Sequence, residues 1–485
     1  MGERRNGMKI LYVTSECAPF CKTGGLADVS GSLPQALASG GDTVAVILPL
    51  YQSIEDEWRE KMTFVKYIYI DLSWRHLYCG LFRMERGGVT YYFVDNEQYF
   101  ARPELYGYYD DGERFAFFSR AVVSLLVHLD FIPDIVHCND WQSALCCIYS
   151  SDEAVRNDLL KGIKTVFTVH NIEYQGRFGI ETLSDLFGLP DGWFTGGSIA
   201  FDGDVNLLKG ALITCNAITT VSPTYAEELR TAYYAHGLDS VMNLCSWKLH
   251  GVLNGIDMKR YDPKTDKNIE KNYSSRDLSG KAECKAALQR SLALSREADV
   301  PIIAVVSRLV QHKGLDLICE ALPGIMDLGV QLVVLGRGDC HFEEFFRNAQ
   351  FQYPGRLSAH IMYDEALAMR IYSGADLFLM PSKSEPCGLS QMIAMRYGAV
   401  PIARETGGLK DSVHPYEAWC GAGNGFTFAA YSASDMYYVI KQAAELYKNE
   451  SEAFGKLRKH GMTADFSWSR SAGEYDRIYS TIIGK

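Results

Sequence analysis

The chain has 485 residues, 47% hydrophobic and 22% charged, which is too long for a single core and argues against extended disorder. Its formal charge of −11 argues against nucleic acid as the main partner, while a neutral polymer or a small anion met by a few local Lys and Arg fits. No run approaches the roughly 18 apolar residues of a membrane span, and the start MGERRNGMKILYVTSE turns polar at Glu16, so it reads as a first strand rather than a signal peptide and predicts a cytoplasmic protein with no membrane partner.

Short, nearly all-apolar runs alternate with longer helical patterns. The candidate strands of the first half are 9–15, 43–48, 89–94, 134–137, 164–169 and 217–221. Those of the second half are 301–306, 330–335, 357–362, 376–380 and 399–403. Apolar strands of this kind belong in parallel sheets covered on both faces by helices. The reading is α/β, with two doubly wound Rossmann-like domains facing across a deep cleft. A polar stretch with Pro263, YDPKTDKNIEKNYSSRDLSGK at 261–281, separates the halves and reads as the interdomain connection. Thirteen cysteines without a C-x-x-C pair or zinc spacing read as reduced, mostly buried thiols, and no metal is expected.

One loop occurs twice: Thr23-Gly-Gly-Leu-Ala-Asp28 and Thr406-Gly-Gly-Leu-Lys-Asp411, each between an apolar run and a candidate helix. A paired glycine at a helix N-terminus presents backbone N–H groups and the positive end of the helix dipole, which suits a phosphate. The same glycines equally make a tight turn that lets helix pack on strand. Lys22 precedes the first copy.

Ligands in open α/β sheets bind beyond the carboxyl ends of strands, which selects the polar residues there. Arg308 and Lys313 in SRLVQHKG suit a diphosphate: Arg grips two oxygens, Lys is a point charge, and both stabilise a leaving group's growing charge without a metal. Glu385 opens EPCGLSQ, where Pro386 and Gly388 fix the backbone. It reads evenly as a carboxylate that meets sugar hydroxyls or as a helix N-terminal Glu. Asp140 and His170 end separate strands and fit either sugar contacts or structural roles. The aromatic-dense segment 91–118 offers rings for sugar stacking, with its Phe residues read as core.

Together these residues resemble the bacterial glycogen synthase and starch synthase family of retaining, two-Rossmann (GT-B) glycosyltransferases. The resemblance rests on KTGGLADV (22–29), YGYYDDGERF (106–115), NDW (139–141), TVHNIEYQG (168–176), VSPTYAEE (221–228), VLNGID (252–257), SRLVQHKGLD (307–316), LGRGD (335–339), EPCGL (385–389) and ETGGLKDSV (405–413). It implies an acceptor domain over 8–260, rejoined by a C-terminal helix at 465–485, and a nucleotide-sugar domain over 282–464. The implied reaction is glucose transfer from ADP-glucose to the non-reducing end of an α-1,4-glucan with retention, with no cofactor.

The implied roles follow the matching positions. Lys22, Gly24 and Gly25 would contact the donor, and Arg308 and Lys313 would neutralise its pyrophosphate. Tyr363 would stack on adenine. Asp140, His170 and Asn254 would line the glucose side, with Trp141 nearby. Glu385, Cys387, Gly388, Leu389 and Ser390 would form the catalytic loop, with Thr406, Gly407 and Gly408 beside the phosphates. Four positions depart from the family pattern: Gln142 for His, Cys245 for Arg, Ser384 for Phe and Ser390 for Thr. They leave as the alternative a non-catalytic or altered-specificity glucan-binding paralogue.

Overall fold

The computed structural model describes residues 7–155 and 157–484. The chain divides into two compact units, Met1–Gly255 with Trp468–Lys485, and Ile256–Ser467. Each is built on its own sheet.

In the first unit the strands lie in the order Leu249–Gly251, Ala217–Thr220, Lys164–Val169, Ile135–Asn139, Lys9–Val13, Thr43–Pro49, Val89–Asp95, Arg75–Arg86, Thr63–Leu72. The first seven run parallel and the last two antiparallel. Lys9–Val13 therefore lies between the strand that follows it and one that comes much later, so the connections depart in opposite directions there. That reversal is the topological switch point of a Rossmann sheet, where a crevice opens beyond the carboxyl ends. Ile10, Leu11, Val13, Val44, Val46 and Ile135 are buried, as a sheet covered on both faces demands. The helix Trp468–Ile483 joins this unit: Tyr479 Oη lies 2.6 Å from His137 Nδ1, and Ser471 Oγ donates to the Leu253 carbonyl at 2.6 Å.

The second unit has one parallel sheet in the order Leu357–His360, Gln331–Leu335, Ile302–Val306, Leu377–Met380, Val400–Arg404, Phe426–Phe428. Its switch point lies between Ile302–Val306 and Leu377–Met380, so the loops after those two strands share one crevice.

Two expectations change. Residues 261–281, read as the interdomain connection, group with the second unit, which begins at Ile256. Tyr273 is buried, its hydroxyl donates to the Tyr397 carbonyl at 2.7 Å, and Tyr397 Oη donates to Asp266 at 2.6 Å. An aromatic anchor with a satisfied hydroxyl outweighs the polar composition around it. The antiparallel hairpin Thr63–Leu72/Arg75–Arg86 was not among the expected strands. In the segment 91–118, Phe93, Phe100, Phe115, Phe117 and Phe118 are core, while Tyr109 is fully exposed. Ten of the thirteen cysteines are buried and none is in a disulfide.

Candidate active site

In the second unit, the loops after the two switch-point strands meet. Lys313 Nζ donates to both carboxylate oxygens of Glu385, at 2.9 and 2.7 Å, and Ser382 Oγ donates to Oε2 at 2.9 Å. Glu385 is buried. Burial pushes its carboxyl up, but the charge and hydrogen bond of Lys313, with Ser382, outweigh it and hold the group below its usual range. Glu385 is thus an anion at neutral pH, aimed by two donors. Lys313 does not stand as an isolated phosphate ligand; it is shared with the carboxylate, because neighbouring strands bring the two residues to one spot.

The backbone around this pair is tightly specified. Gly314 adopts φ +73, and a Cβ there would lie 2.0 Å from the Pro381 carbonyl oxygen. The loop bearing Glu385 is backed by the second TGGL copy: Gly408 N–H donates to the carbonyls of Glu385 and Pro386 at 3.2 and 3.1 Å. Cβ atoms on Gly407 and Gly408 would lie 2.1 Å from the Glu385 oxygen and 2.3 Å from the Cys387 oxygen. Gln391 Nε2 ties the same loop through the carbonyls of Cys387 (3.1 Å) and Gly388 (2.9 Å). Thr406, Gly407 and Gly408 are buried. Leu389 precedes, and Ser390 starts, the short helix Ser390–Arg396. Arg308 is exposed beyond Ile302–Val306, and Tyr363 is 80% exposed in the loop after Leu357–His360, both open to a ligand.

The first unit's crevice is organised by Glu16, which the sequence did not single out. Its buried carboxylate accepts Thr23 N–H at 2.6 Å and Gly24 N–H at 3.1 Å, with Thr23 Oγ1 at 3.1 Å. The first TGGL loop is therefore no empty anion cradle at Thr23 and Gly24, since a carboxylate of the chain already occupies those donors. Lys22 Nζ pairs with Asp28 at 2.7 Å, 38% and 22% exposed. A Cβ on Gly25 would meet nothing within 4 Å and one on Gly24 only Glu16 Oε1 at 3.9 Å, so protein packing leaves room above both glycines.

Asp140 sits at φ +54, a conformation non-glycine residues seldom adopt. Its Oδ1 accepts the His170 N–H at 2.7 Å. Burial raises its carboxyl to about 7, against the backbone hydrogen bonds that lower it. His170 Nε2 lies 2.9 Å from Asn139 Oδ1, while Asn139 Nδ2 donates to the Val13 carbonyl at 2.9 Å. That amide orientation makes Nε2 the protonated nitrogen and leaves Nδ1 a lone-pair acceptor. Burial lowers His170 to about 3, so the ring is neutral at physiological pH. Trp141 packs against Phe115 and Phe178, with ring centroids at 5.4 and 5.8 Å. Asn254 is buried, and its Oδ1 has no partner among the described residues. Of the departures, Gln142 Oε1 is likewise buried without a partner, and Cys245 lies against the Leu212 carbonyl at 3.6 Å.

Residues 9–244 match the model described as the starch synthase catalytic domain, and 293–459 the model of glycosyl transferases group 1. The glycogen synthase of Lactobacillus acidophilus is 45% identical over 477 residues, 98% of this chain and 100% of that protein. The chain belongs to the glycogen synthase family. The glycogen synthase of Anoxybacillus flavithermus is 47% identical, covering 98% of each chain. The catalytic domain of starch synthase IV from Arabidopsis thaliana, bound to ADP and acarbose, superposes with TM-score 0.90 at 36% identity, covering 99% of this chain and 100% of that one. The fold is GT-B, and the family's activity, glucosyl transfer in glycogen synthesis, is this enzyme's. Among the described residues no helix is long and apolar enough to cross a membrane.

Proposed function

We propose that the enzyme transfers glucose from ADP-glucose to the non-reducing end of an α-1,4-glucan with retention of configuration, in the cytoplasm and without a cofactor. The observation that carries this reading is the Lys313–Glu385 pair at the second unit's switch point. In this reading Arg308 and Lys313 meet the donor diphosphate, and their preorganised charge stabilises the negative charge that grows as the glucosyl–oxygen bond breaks. Lys313 then bridges phosphate and carboxylate. The anionic Glu385 orients the donor glucose and stabilises positive charge developing on its ring. Tyr363 offers an exposed ring for adenine, and Gly388 holds its loop at φ +70. Neutral His170 and half-buried Asp140 present hydrogen-bonding atoms suited to sugar hydroxyls, as does the unpartnered Oδ1 of Asn254. Lys22 contributes a donor contact beside the open glycines Gly24 and Gly25.

Competition between ADP-glucose and UDP-glucose with glycogen as acceptor tests the donor. ADP-glucose is expected to dominate incorporation at equal concentration; preferential incorporation from UDP-glucose would overturn the assignment.

A further inference from the structure

The second unit holds a polar cavity of about 280 Å³, lined among others by Lys281, Lys285, Arg296, Asp376, Tyr447 and Arg458. It lies at the amino ends of the strands: Asp376 directly precedes Leu377–Met380, and its Oδ2 accepts the N–H of Ile302, the first residue of Ile302–Val306. Arg308 and Glu385 follow the opposite, carboxyl ends of those same strands. This cavity is thus separate from the site described above.

Its charges do not balance. Lys281, Lys285 and Asp376 are buried, and Arg458 is 15% exposed. The one carboxylate is taken by Lys285 at 2.8 Å and Arg458 at 2.9 Å. Lys285 completes its shell with the Ala298 carbonyl and Tyr447 Oη, both at 2.8 Å. Lys281 donates to two neutral carbonyls, of Ser373 at 2.9 Å and Tyr397 at 2.8 Å, with the Tyr273 ring 5.7 Å away. Arg458 Nε is buried with no partner among the described residues. With Lys281 in its charged form, three cations around one carboxylate carry an excess of two positive charges in a poorly solvated place, inside a protein of net charge −11. Exposed Arg296 adds a fourth cation to the lining.

We propose that this cavity binds a small phosphorylated dianion, either free phosphate or a phosphoryl group carried on a sugar. A dianion matches the excess charge, and a phosphate oxygen satisfies the unpaired N–H edge of a guanidinium. The volume exceeds what one ion needs, since a water occupies roughly 30 Å³ of liquid. Lys281 faces Arg458, Lys285, Asp376 and Cys284, and burial with Arg458 holds it well below the usual lysine range. An arriving dianion favours its charged form.

The test is calorimetry on the full-length protein saturated with ADP, which occupies the donor's phosphate contacts. Inorganic phosphate is titrated first and fructose 6-phosphate second. One equivalent is expected to bind, weakened about tenfold or more in Arg296→Ala and Lys281→Met and unchanged in Arg308→Ala. Tighter binding of fructose 6-phosphate assigns a sugar phosphate, and equal binding assigns free phosphate. Arg296→Ala guards against a folding defect in Lys281→Met, since Arg296 is exposed. Absence of binding at millimolar phosphate, binding indifferent to both substitutions, or binding lost in Arg308→Ala would overturn the proposal.

Discussion

The two TGGL loops share five of six residues and a place between strand and helix, yet the structure uses them in opposite ways. The second is packed: Gly407 and Gly408 press on the carbonyls of Glu385 and Cys387, where any Cβ would collide. Its work is to hold the loop that carries a buried carboxylate. The first is open: Gly25 has free space above it, Lys22 and Asp28 are partly exposed, and Glu16 rather than a ligand fills the Thr23 and Gly24 N–H groups. A repeated motif is thus one local backbone solution, and what surrounds it decides whether its glycines serve packing or access.

The sharpest way to break this contrast is at the carboxylate the packed loop supports. Glu385→Ala is expected to lower turnover by about 10²–10³-fold, the scale of losing a preorganised electrostatic group, while ADP affinity is retained; steady-state kinetics and ADP titration check both. Lys313→Ala should cost roughly 3–5 kcal/mol in denaturant unfolding, more than Glu385→Ala, because it strands a buried anion whereas the reverse leaves a cation with some solvent access. Gly408→Ala should destabilise the second unit by about 1–3 kcal/mol through overpacking. Gly25→Ala should change stability by less than about 0.5 kcal/mol and instead raise KM for the donor. Equal effects of the two alanines on melting would erase the distinction between the loops.

A smaller effect concerns pH. Asp140, raised to about 7, lends the fold stability at low pH that is lost as pH climbs from its unfolded value toward 7. His170, lowered to about 3, does the reverse: its contribution is present above its unfolded value and lost as pH falls from there toward 3. The two oppose one another over the mildly acidic range. Asp140→Asn removes the first, so the variant should lose stability more steeply on acidification than the parent, read from unfolding midpoints across that range. A shallower acid dependence would contradict the assignment.

The sheets were legible because parallel, doubly covered strands such as Ile302–Val306 and Gln331–Leu335 are almost wholly apolar. The hairpin Thr63–Leu72/Arg75–Arg86 escaped because its residues alternate between buried and exposed at the sheet's edge, with several aromatics in solvent. Segment 261–281 misled because composition says nothing of one Tyr273 whose hydroxyl reaches two backbone carbonyls. Glu385 and Lys313 were each visible as residues beyond strand ends. Their pairing was not read, although neighbouring strands across a switch point imply it. Glu16 was hidden by looking only at the glycines it bonds; a carboxylate directly after the first strand was the available signal.

On the proposed reading the packed loop carries chemistry and the open loop carries binding. The most direct measurement is ADP release from ADP-glucose with glycogen, comparing Glu385→Ala with Lys22→Ala. The account predicts that Glu385→Ala loses kcat while still binding ADP, and that Lys22→Ala raises donor KM with kcat largely kept. Near-normal turnover in Glu385→Ala, or a collapse of kcat confined to Lys22→Ala, would contradict it.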